Sequence, residues 1–325
     1  MAEPATTTQT LSMRPIVAEV LVDLSDRHPD LVVVTADARA LTAGVERRHP
    51  ARAVDVGIAE ANLVGVAAGL ARGGSKVVVA AMAPFLVRRA AEQIRIDVCR
   101  PGLDVTFLGV GGGLSYGSLG ASHHVPEDLA AMSAMPGVRV FCPADVHDAA
   151  WAVREAVDGD GPGYVRLGAR ADTVVHDEAQ PFSALQPRLL GPPGGALVVA
   201  TGSTVAEALH AAQLLRDAAG PVRVLALTAV HPFPEQALFD AVRTATVVVT
   251  VEDHFALGGI AGRVALTLAG RHHLPFAALA VDDRPAPALD RDDLYHFYGI
   301  NAATIARTVL ELTHSRAGRA PCASS

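Results

Sequence analysis

Short runs of β-branched residues alternate along this chain with longer stretches of helical period, and that alternation restricts the fold more than any other feature. Leu31-Val32-Val33-Val34-Thr35 and Ser75-Lys76-Val77-Val78-Val79-Ala80 are the clearest of these runs. They are apolar without a period of two, the pattern of strands covered on both faces in parallel sheets. Further strands are predicted at 105–110, 138–142 and 164–167, with helices near 13–27, 60–72, 84–99, 126–134 and 145–157. The stretch 171–193 is Pro-rich and irregular and runs into Gly191-Pro192-Pro193-Gly194-Gly195, so it reads as an interdomain linker. A second series then begins, with strands at 196–200, 222–227, 246–251 and 276–281 and helices at 204–218, 234–243, 258–269 and 301–313. The tail His314–Ser325 has no periodicity and is expected to be disordered. The fold class is therefore α/β, with two open α/β domains over about 1–180 and 190–325.

Composition excludes several classes of function. Half of the 325 residues are hydrophobic but only 4% are aromatic, so small aliphatic side chains build a sizeable core. A formal charge of −7 argues against a nucleic-acid groove, which needs a basic surface. Cys99, Cys142 and Cys322 lie far apart with no CxxC pair, which supports neither a disulfide framework nor a zinc site. No apolar run reaches the ~18 residues needed to span a membrane. Met1–Gln9 is polar and lacks the apolar region of a signal peptide. The expectation is a cytoplasmic protein that holds no metal of its own.

Ligands of open α/β sheets sit outside the carboxyl ends of the strands, and four constellations lie there. Glu60, in Asp55-Val56-Gly57-Ile58-Ala59-Glu60-Ala61-Asn62, opens an apolar helix. On its own it is more simply a first-turn carboxylate complementing the helix dipole. Its small apolar surroundings also disfavour the charged form, which suits proton exchange near neutral pH. Gly111 to Gly120 contains five glycines in ten residues, which permits close backbone approach to a ligand, and ends before His123-His124. It matches neither a dinucleotide fingerprint nor a phosphate-binding loop with Gly-Lys-Ser/Thr. Phe85, just after a strand, could stack on a flat heterocycle or be ordinary core. Val251-Glu252-Asp253-His254 before Gly258-Gly259 fits a site or interface loop, or only a helix cap. Asp145 before Val146-His147-Asp148 is a predicted helix N-cap.

Taken in order, these motifs resemble the C-terminal half of transketolases, in the larger group with deoxyxylulose-phosphate synthase and the β subunits of 2-oxoacid dehydrogenases. Thr35-Ala36-Asp37, Asp55 to Glu60, Phe85 to Arg95, Gly120-Ala121-Ser122-His123, Pro143-Ala144-Asp145 and Val251 to His254 agree in order and spacing over roughly 10–315. The resemblance implies a pyrimidine-binding domain up to about 180, followed by a C-terminal domain that usually supports assembly. It implies thiamine diphosphate as cofactor, with Glu60 activating it, Phe85 stacking on its aminopyrimidine and Asp37 near it where two chains meet. His123 then matches the histidine that faces the substrate, with Arg14 and His124 as weaker substrate-binding candidates.

The family holds the diphosphate and a divalent metal such as Mg2+ through a Gly-Asp-Gly…Asn motif in a separate domain. The only similar triplet, in Asp158-Gly159-Asp160-Gly161, precedes a strand in the wrong place. The resemblance therefore implies a split enzyme completed by an N-terminal transketolase subunit in an α2β2 assembly. The family's phosphate-binding Ser and His positions are Leu41 and Gly111 here, and the acid contacting a donor hydroxyl is Leu119. That implies transfer of a two-carbon ketol or acyl unit to an atypical, non-phosphorylated acceptor in specialised metabolism. The alternatives are the β subunit of a pyruvate-type decarboxylase or dehydrogenase, and a non-catalytic scaffolding or regulatory subunit.

Overall fold

The computed structural model describes residues 9–177, 183, 186–217 and 220–317. In chain order the strands are β1 (Thr10–Ser12), β2 (Leu31–Thr35), β3 (Ala53–Asp55), β4 (Lys76–Met82), β5 (Val105–Val110), β6 (Arg139–Phe141) and β7 (Gly163–Leu167). The second half supplies β8 (Ala171–Thr173), β9 (Arg188–Leu190), β10 (Ala196–Thr201), β11 (Val222–Leu227), β12 (Ala229–His231), β13 (Val248–Phe255) and β14 (Phe276–Val281). They form a seven-stranded sheet in the order β12-β6-β7-β5-β4-β2-β3 and a five-stranded sheet in the order β14-β13-β10-β11-β9. All pairs are parallel except β12 with β6 and β9 with β11. β1 and β8 make a separate antiparallel pair.

Successive side chains of a strand point to opposite faces, and the first sheet uses both. Val33, Val78, Leu108 and Val165 face Val17, Leu21 and Leu24 of the helix Met13–Arg27 and Val153 and Val157 of the helix Val146–Asp158. Val34, Val77, Val79 and Phe107 face Leu63, Val64 and Ala67 of the helix Glu60–Arg72. That second core continues into the other half of the chain through Leu197, Leu225, Leu227 and Ile260.

The helices over Met13–Arg27 and Glu60–Arg72 have the predicted bounds. Other elements differ. The helix expected over 84–99 is broken: Ala83–Arg89 ends at Ala90, whose φ of −105° and ψ of 14° leave helical space, and the chain resumes as Ala91–Gln93 and a wide-turn helix Ile94–Cys99. β13 runs four residues beyond its expected end, because Glu252, Asp253 and His254 are each given polar partners inside the fold. The last helix, Ala302–Ala317, continues through the first residues of the expected disordered tail; 318–325, including Cys322, lie outside the described residues. β8 and β9 lie within the predicted linker, and β12 and the helix Arg291–Tyr298 are elements its local pattern did not announce.

Candidate active site

Four adjacent strands, β5, β4, β2 and β3, present their carboxyl ends side by side, and the candidate residues follow them. After β3, Asp55 Oδ1 accepts the Gly57 N–H at 2.8 Å and Arg39 hydrogen-bonds Asp55 Oδ2. Gly57, at φ +71°, turns the chain so that the helix begins on Glu60. Glu60 is only 4% exposed. Its Oε2 accepts from Arg89 Nη1 at 3.2 Å, while the same guanidinium lies 4.2 Å over the Phe85 ring. Phe85 reaches this position because the helix Ala83–Arg89 starts directly from β4 with Pro84 in its first turn. Pro is pre-organised there, since its missing N–H has no helical partner at that position.

The glycine loop after β5 brings His123 to the same place. Its ring meets Phe85 edge-on at 5.3 Å and 70°, and Tyr116 at 5.9 Å and 77°. Ser122 Oγ lies 2.9 Å from His123 Nδ1 and orients the imidazole. His124 turns the other way: its Nε2 donates to Gly117 O at 2.9 Å, and its Nδ1 is buried without a hydrogen-bond partner among the described residues. Arg88 donates through Nε at 2.8 Å and Nη2 at 2.5 Å to Glu127 Oε1, tying the Phe85 helix to the exit of the histidine loop.

The structure therefore gathers Glu60, Phe85 and His123 into one cluster. Asp37 shares the sheet edge, exposed and at φ +57°, the one described non-glycine residue with positive φ. Such backbone is uncommon outside glycine and gathers at functional sites. Arg14 is engaged beside β7, where its Nη2 donates to Ala169 O at 3.0 Å. Sequence reasoning singled out neither Arg89 nor Tyr116, which link the three candidates; Arg89 was visible only as part of the Phe85–Arg95 stretch.

The fourth constellation is structural. Glu252 accepts from Ile260 N at 2.8 Å and Ala261 N at 2.9 Å, capping the helix Ile260–Leu268, and Ala130 N donates to His254 Nε2 at 3.1 Å. Burial pushes Glu252 up to about 8, against the lowering effect of those two N–H groups. Burial, reinforced by the Arg166 guanidinium, pulls His254 down to about 4. Burial thus favours the neutral form of both groups.

The cluster fits an aminopyrimidine. Arg89 is a flat, nitrogen-bearing group that already satisfies a carboxylate at one edge and stacks on an aromatic face, the two contacts such a ring would need. Among the described residues no group of three or more His, Cys, Asp or Glu could hold a metal ion. The fold is α/β with two mostly parallel sheets, and an acid, an aromatic ring and a histidine stand together at one sheet edge. The transketolase pyrimidine-binding domain matches residues 9–171 and the transketolase C-terminal domain matches 194–305, and the chain belongs to the transketolase family.

The chain is 32% identical to one subunit of the apulose-4-phosphate transketolase of Phocaeicola vulgatus, over 93% of this chain and 97% of that one. It is 31% identical to the 6-deoxy-6-sulfo-D-fructose transketolase subunit SqwH of Clostridium sp., over 94% and 95% respectively. Among solved structures, a split gene transketolase described as an inactive β4 tetramer aligns with a TM-score of 0.84 at 30% identity, covering 94% of this chain and 99% of that one.

Proposed function

We propose that this chain is the C-terminal, β subunit of a heteromeric, thiamine-diphosphate-dependent transketolase that moves a two-carbon ketol unit from a ketose donor. The single observation behind this reading is the Glu60–Phe85–His123 cluster at one sheet edge. Thiamine diphosphate, when bound, would supply a nucleophilic carbon for cleavage of the donor. Glu60 would hydrogen-bond the pyrimidine ring nitrogen and favour one tautomer by holding a proton there. Phe85 would stack on that ring, and Asp37 would lie near it where the two chains meet. His123 would give or take a proton at a substrate oxygen; His124 and Arg14 stay weaker candidates for substrate contact, since they are held on Gly117 O and Ala169 O.

The remaining half of the site belongs to an N-terminal subunit, which holds the diphosphate and Mg2+ or another divalent metal. Relatives that match this chain over nearly their whole length are themselves named as subunits, which supports that division; the assembly proposed is α2β2, in the cytoplasm. The proposed domains are 1–180 and 190–325, a division that fits the two separate, mostly parallel sheets, with β12 alone crossing into the first. No described helix is long and apolar enough to cross a membrane. The relatives named above are transketolase subunits, so neither the 2-oxoacid dehydrogenase reading nor the scaffolding reading is favoured.

The acceptor lacks the usual phosphate, which points to specialised metabolism. Leu41 is buried in the core, Leu119 is exposed but apolar, and a Cβ at Gly111 would meet Tyr116 Cε2 at 2.0 Å. Neither Leu41 nor Gly111 offers the charge-assisted hydrogen bonds that grip a phosphate, and Leu119 cannot supply the acid that contacts a donor hydroxyl.

Glu60→Gln in the complex with the N-terminal subunit is expected to abolish donor cleavage while leaving the assembly and its melting temperature unchanged. Retained turnover would remove Glu60 from its role. The purified chain alone is expected to be inactive; strong transfer without a partner would overturn the split site.

A further inference from the structure

We infer that Arg166 and Asp253 are positioning residues for His123, so that the C-terminal half shapes the catalytic loop as well as supporting assembly. This rests on the role given to His123 above. Arg166 stands in β7 with its side chain 4% exposed. Its Nη1 lies 2.6 Å from Asp253 Oδ1, its Nη2 donates to Asp253 O at 3.1 Å, and its Nε is 3.1 Å from Asp128 Oδ2. Asp253 belongs to β13 of the second sheet, whereas Asp128 opens the short helix that follows the histidine loop and also accepts from Tyr164 Oη at 2.7 Å.

The loop is moulded on this ion cluster. A Cβ at Gly112 would lie 2.3 Å from Arg166 Cγ. One at Gly113, at φ +59°, would lie 2.1 Å from Arg166 Nη2 and 2.4 Å from Asp253 Oδ2. The Leu114 N–H points to Asp253 Oδ2 at 3.5 Å. Val125 N donates to Gly113 O at 2.9 Å and closes the loop two residues after His123. Entry, closure and exit of the loop therefore all refer to one guanidinium. The second half also covers the loop's middle, because a Cβ at Gly117 would meet Leu289 O at 2.4 Å and Leu294 Cδ1 at 2.8 Å.

A buried arginine between two carboxylates is weak evidence of stability, since an apolar group of the same shape often stabilises as well. A planar fork hydrogen-bonded to Asp253 through two nitrogens, with the Asp128 carboxylate beside its third, does fix a direction, and displacing a reacting group by ~1 Å can cost ~100-fold in rate. The two accounts separate experimentally. In the complex with the N-terminal subunit, Asp253→Asn is expected to lower kcat on the order of 100-fold, with cofactor affinity changed far less, because Glu60 is held from β3 and by Arg89. In a His123→Ala background the same substitution should cost nothing further. Losses that multiply would overturn the inference, as would a fall in melting temperature accounting for all of the lost activity.

A second readout needs no turnover. The His123 ring protons, shifted by the Phe85 and Tyr116 rings and assigned with His123→Ala, are expected to move in Asp253→Asn. They should move less, in the same sense, in Tyr295→Phe, which removes only a hydroxyl 3.5 Å from Asp253 Oδ2 and leaves the ion pair intact. Unmoved resonances in both variants would overturn positioning. A wild-type complex that transfers no two-carbon unit would instead overturn the functional reading and leave the resonance test standing.

Discussion

Gly111 shows how little freedom the site leaves at the residue scale. It sits at φ +75°, and its missing side chain is the space that the Tyr116 ring fills beside His123. Gly111→Ala would force an L side chain into left-handed backbone and push Tyr116 aside. The expected result is a loss of about 1–3 kcal/mol in stability and a turnover lower than the unfolded fraction explains, measured by denaturant titration alongside initial rates. Glu60, Phe85 and His123 were legible as candidates in the sequence because each follows a strand within an ordered set of motifs. Arg89 was not, because an arginine in an exposed helical turn looks like any solvated cation until its guanidinium is seen between a carboxylate and a ring.

Among the elements, the helix Val146–Asp158 depends on a single carboxylate. Asp145 Oδ1 accepts from Asp148 N at 2.9 Å, as its N-cap role requires. Its Oδ2 accepts from Val175 N at 2.8 Å and His176 N at 2.7 Å, so the same side chain also holds the connection between the two halves. Asp145→Ala would remove the cap and leave two backbone donors without their partner. A loss of about 3 kcal/mol or more is expected, seen as a lower urea midpoint with an unchanged slope. Asp145 as a cap was legible from the residues that follow it. Its second duty was not, because no local pattern connects positions thirty residues apart.

Across the whole molecule, the two halves share a core and a buried polar seam. β12, from the second half, pairs with β6 and completes the edge of the first sheet, and the Glu252–His254 segment packs against the helix Asp128–Ser133. Glu252, raised to about 8, stabilises the fold at low pH, and that contribution is lost as pH rises through 8. His254, lowered to about 4, stabilises at high pH, and that contribution is lost as pH falls through 4. Between their ordinary values of 4.5 and 6.5 the folded and the unfolded pair each hold one proton, so the two trends cancel. Above 6.5 only Glu252 still titrates. Stability is expected to fall by about 2 kcal/mol between pH 6.5 and 8, and Glu252→Gln should flatten that limb of the melting curve. A slope unaffected by the substitution would show that Glu252 is ionised in the fold.

By itself the sequence determined the class of fold, the order of most elements and the identity of the residues at the strand ends, because β-α periodicity and motif spacing are local properties that survive without a third dimension. The tertiary structure decided what those residues touch. Glu60 alone is a first-turn carboxylate; the fold makes it a buried acid that shares a flat cation with Phe85 beside His123. The acidic cluster of β13 had two readings, site loop or cap, and packing between the sheets made it the seam on which the histidine loop rests. Contacts between distant segments are set by how the sheets stack, and side-chain direction in a buried seam follows from charge pairing that no single stretch of chain contains.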